Sequence, residues 1–186
     1  LLQYTALGLL VGLACWPFNL LDRWQDDLLH RLPAYTGEGW TSLSLGLALS
    51  PLLVAPLLLV LQSSCWARGA GSGIPQTMAS VEDPDQADRL LGPLPTLQRL
   101  GLWGLATLAL MPLGREGPVV QVGAAVARGL RKRFPRWFSS LSDAHLLCVA
   151  AGAGLAGGFN TPLMGAVFVA EEFTQSFSAV LVWPSL

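Results

Sequence analysis

Charge is absent from four stretches of the chain, residues 1–21, 40–67, 100–114 and 144–170. Three of them match or exceed the roughly 20 apolar residues that cross a bilayer as a helix. The pattern predicts helices over 1–21, 40–66, 95–113, 118–130, 143–158 and 162–173. It makes 22–39 a polar loop and 82–89 the most solvated part of the chain. Asp143 is placed to cap the fifth helix. Three Gly/Pro interruptions punctuate the apolar pattern. The first, Gly71-Ser72-Gly73-Ile74-Pro75, predicts a short helix starting at Ile74 or Pro75, since Pro suits a first helical turn. The others are Gly114-Arg115-Glu116-Gly117-Pro118 and Asn160-Thr161-Pro162. Small residues recur at the spacing of close helix crossings, at Gly8/Gly12, Gly154/Gly158 and along 150–158.

Composition sharpens this into an integral, multi-pass membrane protein. The 186 residues are 52% hydrophobic and 12% charged, about half the charged fraction of a soluble domain. A net charge of −1 gives no electrostatic case for a nucleic-acid partner. Cys15, Cys65 and Cys148 lie in or beside apolar segments with no metal-ligand spacing, so neither a disulfide framework nor a metal site is expected. His30 and His145 are isolated, and Trp40, Trp66 and Trp183 read as interfacial anchors. Eight of the eleven basic residues are Arg68, Arg89, Arg99, Arg128, Arg131, Lys132, Arg133 and Arg136. Positive-inside counting therefore puts 68–99 and 128–142 in the cytoplasm and 22–39 outside. Leu1 opens on an apolar run without a basic leader or initiator Met, and the chain ends abruptly at Trp183-Pro184-Ser185-Leu186, so the expectation is a partial chain.

The interruptions carry the candidate chemistry. Non-helical backbone at membrane depth is tolerated where it is buried in protein or lines a wet cavity. A helix that starts there points free N–H groups and a partial positive charge ahead of it, which suits an anion. Glu116 in the second break can occupy such a position as a carboxylate and vacate it when protonated. Ser72 in the first supplies a hydroxyl donor for a dehydrated anion, and its flanking glycines permit close backbone approach. Glu171 and Glu172 end an apolar helix and project about 100° apart, so at most one faces a given pathway. The bland alternatives are ordinary surface turns, a surface pair of Arg115 with Glu116, and a solvated helix end. An intramembrane protease would need a Ser-His or two-Asp constellation that these residues do not offer.

These three motifs, in this order and spacing, resemble the CLC family of chloride channels and chloride/proton antiporters over about residues 1–180. The resemblance implies an all-α polytopic fold of broken, re-entrant helices, built in the family from two inverted repeats. Here it covers the first repeat only, about six helices plus a short re-entrant one. It implies chloride binding by Ser72, Gly73 and Ile74 and by Glu116, Gly117, Pro118 and Val119, with no cofactor. It implies that Glu116 gates the pathway and carries a proton. Glu172 matches the internal proton acceptor of the antiporters, which favours proton-coupled exchange over a passive channel. Ser72 favours chloride over fluoride or nitrate. The implied partners are chloride, protons, the lipid bilayer and a second copy of the full-length protein, in the cell membrane. Gln76 departs from the pattern, standing where many members have Glu, just outside the expected anion contact. Neither Tyr4 nor Tyr35 stands where the family's site tyrosine lies, in the second repeat. With that repeat absent, this chain alone is expected not to transport, and a non-transporting membrane scaffold is the rival reading.

Overall fold

The computed structural model describes residues 2–139 and 141–173, and among them every regular element is helical. In chain order they are α1 (Leu2–His30), the single turn α2 (Pro33–Thr36), α3 (Ser42–Ser63), the short α4 (Ile74–Glu82), the single turn α5 (Ala87–Leu90), α6 (Pro93–Leu108), α7 (Glu116–Arg133), α8 (Asp143–Phe159) and α9 (Pro162–Phe168). A wider π turn, Val169–Phe173, follows α9. Two helices among the described residues, α1 and α3, are long and apolar enough to cross a membrane. Among the described residues little packs against most of α3: Leu52 is 71% and Leu53 80% exposed, which suits a lipid-facing surface.

Several boundaries depart from the hydrophobic pattern. Helix α1 does not stop at Leu21 but continues through the polar stretch to His30, because no backbone breaker intervenes before Pro33. Helix α6 ends at Leu108 rather than 113. Leu110 takes the left-handed conformation at φ 55°, and the N–H groups of Leu110 and Met111 return to the Thr107 and Ala106 carbonyls at 2.9 and 3.0 Å. Pro112 then keeps Met111 out of a helix. Helix α7 begins at Glu116, ahead of Pro118, which sits in the first turn where its missing N–H has no helical partner anyway. Ser142, not Asp143, caps α8 by accepting the His145 N–H at 3.2 Å. The expected loop 82–89 contains a 3₁₀ turn and α5.

The fourth uncharged stretch is two helices, as its Asn160-Thr161-Pro162 break predicts, with α9 giving way to the π turn after Phe168. Asn160 adopts φ 54° with its N–H on the Ala156 carbonyl, turning the chain into α9. Glu171 and Glu172 sit in the π turn, both exposed. Residues 174–186, including Trp183, lie outside the described residues. Trp66 is packed half-buried over Gly101 and does not stand clear as an anchor.

The core lies where α1, α7 and α8 meet, around Leu7, Val11, Phe18, Val119, Val120, Val149 and Leu155. Gly123 and Gly154 let the α7 and α8 backbones touch: a Cβ on the first would drive into the Ala150 carbonyl, and on the second into that of Val119. A Cβ at Gly8 or Gly12 meets nothing within 4 Å, although the Gly12 Cα itself lies 3.5 Å from where a Cβ on Gly157 of α8 would fall. Helix α7 carries opposite charge contacts at its two ends. At its start Arg115 lies 3.1 Å from Asp22. At its end Arg128 and Lys132 hold Asp88 at 2.9 and 2.7 Å, and Arg128 and Arg131 hold Asp143 at 3.1 and 2.9 Å.

Candidate anion site at two broken helices

The first break is built by local backbone chemistry. Gly71 and Gly73 sit at φ 92° and 113°, where a side chain would be strained. Gln76 locks the loop from inside α4, accepting the Gly73 N–H at 3.0 Å and donating its amide to the Ala70 carbonyl at 3.1 Å. A glutamate makes only the first of these contacts, so the Gln76 amide suits this loop. The Thr77 hydroxyl donates to the Gly73 carbonyl at 2.8 Å. The result is a start to α4 with Ser72 standing exposed ahead of it.

At the second break no side chain caps α7. Its first backbone bond runs from the Val119 N–H to the Arg115 carbonyl at 3.1 Å, which leaves the Glu116 and Gly117 amides open at the positive end of the helix. Arg115 does not pair with Glu116. It turns to Asp22 of α1, an ion pair by distance without hydrogen-bond alignment, and lies 4.6 Å over the Phe159 ring at the end of α8. The Glu116 carboxylate folds back over Gly114, where a Cβ would collide with its oxygens.

Tertiary structure brings these two breaks into direct contact. A Cβ on Gly73 would fall 2.5 Å from the Gly117 carbonyl oxygen, and one on Gly117 would strike the Ser72 carbonyl. Beside that contact lies a cavity of about 390 Å³ lined by Ser72, Ile74, Arg99, Glu116, Gly117 and Pro118, among others. Gly73 and Val119 are buried behind it, and the Gly73 amide is already taken by Gln76. Among the described residues, neither the Ser72 hydroxyl nor the Glu116 carboxylate has a hydrogen-bond partner. The third break is different: it is the tight left-handed turn at Asn160, and none of its residues lines the cavity. Glu172 does not line it either. It lies ten residues along from Pro162, roughly 15 Å down the helix axis.

Two polar residues at this site lie outside the three interruptions and are not singled out by them. Arg99 is not a loop residue: it sits inside α6, 3% exposed. Gln121 of α7, 1% exposed, accepts from the Arg99 Nη1 and donates to the Leu90 carbonyl at 3.2 Å. A signal for Arg99 was available. A helix predicted from residue 95 already contains it, and an ionisable residue inside a membrane helix is a functional candidate by default.

An all-helical chain whose two interrupted helices meet beside one small cavity lined by Ser72 and Glu116 has the build of a polytopic membrane protein of broken helices. The family model described as voltage gated chloride channel matches residues 53–186, from α3 onward. The chain belongs to that family, whose members carry chloride across membranes and are not enzymes.

Proposed function

We propose that this chain forms one wall of a chloride pathway and works in proton-coupled chloride exchange. The observation that carries the reading is that Ser72 and Glu116 face one cavity across the backbone contact between Gly73 and Gly117. A chloride ion entering the cavity loses water and gains the Ser72 hydroxyl and the open amides at the starts of α4 and α7, a preorganised replacement for hydration. Ile74, Gly117 and Pro118 line the position; Gly73 and Val119 set its depth. The ionised Glu116 carboxylate competes for the same partial positive charge. When protonated it has no such attraction, leaves, and takes the proton with it. Glu172, in the π turn beyond α9, receives protons on the cytoplasmic side. In the full-length protein, two copies in the cell membrane would each hold one such pathway.

The test is flux from liposomes containing the full-length protein. Glu116→Gln is expected to keep chloride flux while abolishing its pH dependence and all proton movement. Glu172→Ala is expected to stop proton movement and spare chloride. Proton coupling that survives Glu116→Gln removes Glu116 from its role, and a wild type that moves chloride with no protons is a passive channel.

A further inference from the structure

Arg99 makes an unusual set of contacts for a buried cation. Its Nε donates to the carbonyls of Gly69 and Gly71 at 3.2 and 3.1 Å, its Nη2 to that of Ala70, and its Nη1 to the side-chain oxygen of Gln121. Gln121 is held in that orientation because its amide nitrogen is engaged by the Leu90 carbonyl and, at 3.5 Å, by Thr96. Every one of these acceptors is neutral. Arg115, Arg128, Arg131 and Lys132 each face a carboxylate; among the described residues none lies within ion-pair distance of Arg99. The guanidinium is thus well hydrogen-bonded but carries an unbalanced charge in a low-dielectric setting, an expensive arrangement without an anion nearby.

An anion-sized space is nearby. Arg99 lines the cavity that holds Ser72 and Glu116, and Glu116 is the one acidic side chain in that lining. Of the charged groups on the surrounding elements, Arg68, Glu82 of α4 and Arg89 of α5 are exposed and do not line the cavity, and the nearby aspartates are paired. Asp22 of α1 faces Arg115, and Asp88 of α5 faces Arg128 and Lys132. We propose that Arg99 is the fixed countercharge of this cavity, a positioning residue whose charge is balanced in turn by chloride and by the Glu116 carboxylate. The proposal rests on the transport reading above and adds a cause for the competition: one cation accommodates one anion. It also gives the guanidinium a second task. Its planar fork ties the three carbonyls ahead of Ser72 to Gln121 of α7, so the same residue holds the two broken helices together.

The experiment measures chloride binding by titration calorimetry on the purified full-length protein, and the pH midpoint of chloride flux in liposomes. Arg99→Gln is expected to weaken chloride at least tenfold. It should also raise the pH midpoint, because Glu116 without a cation nearby takes up its proton at higher pH. Arg99→Lys keeps the charge and is expected to stay within threefold of wild type in affinity. A folded, monodisperse Arg99→Gln protein with unchanged affinity and midpoint overturns the proposal. So does an Arg99→Lys protein that loses tenfold or more, and that arm stands even if the Gln variant does not fold. Wild type that binds no chloride defeats the transport reading itself, whereas wild-type binding with an indifferent Arg99→Gln defeats this inference alone.

Discussion

Gly117 stands where the two interrupted helices press together, its Cα against the Ser72 carbonyl. A methyl group there meets backbone, which cannot rotate away as a side-chain tip can. Gly117→Ala is therefore expected to cost about 1–3 kcal/mol, the usual penalty of overpacking a tight contact, and to weaken chloride binding by spreading Ser72 from α7. Thermal unfolding in detergent and a chloride titration check it; an unchanged melting temperature would mean that the contact is slack. Ser72 and Glu116 were legible in the sequence because each is framed by Gly and Pro, whose backbone limits act locally. Arg99 was miscounted because a charge tally treats every arginine near a loop alike. Its burial depends on three carbonyls from a segment 28 to 30 positions away.

Helix starts were easier to read than helix ends. Proline marks the first turns of α4, α6 and α9, a position-specific preference. Stops depend on where the last carbonyls find donors, so α1 outran its apolar pattern and α6 fell short of it. Small-residue spacing was ambiguous in the same way: Gly8/Gly12 and Gly154/Gly158 look alike, yet both members of the second pair press against α7, while in the first Gly12 meets Gly157 of α8 and Gly8 has open space around it. At this scale the two kinds of glycine separate by mutation. Gly123→Ala, on the α7–α8 crossing, is expected to destabilise by about 1–3 kcal/mol. Gly8→Ala, with open space around it, is expected to be neutral or stabilising by up to about 1 kcal/mol. Equal melting shifts for the two would contradict the crossing described here.

Across the whole molecule, the ion pairs of Arg and Lys with carboxylates among the described residues lie at the two ends of α7. The Arg128 and Lys132 contacts hold the Asp88 carboxyl below its ordinary value of 3.8. Since the folded protein binds that proton less readily than the unfolded chain, the contribution to stability is present above 3.8 and fades as pH falls through the lowered value. The effect is small, because Asp88 is half exposed and solvent screens it. Asp88→Asn is expected to lower the melting temperature slightly at neutral pH, with the gap to wild type closing below pH 3.8. A gap that persists in strong acid would show that the side chain acts through packing instead.

Sequence alone determined that this is a helical membrane protein with interrupted segments, and which serine and glutamate belong to them. Depletion of charge and the backbone limits of Gly and Pro operate within a few neighbouring residues, so they can be read without contacts. Only the tertiary structure decided that two of the three interruptions share a cavity, that the third is a plain turn, and that a buried arginine also lines that cavity. Those outcomes follow from close approaches such as Gly73 to Gly117 and Gly123 to Ala150, between residues far apart along the chain, where the fit of one backbone against another sets the result.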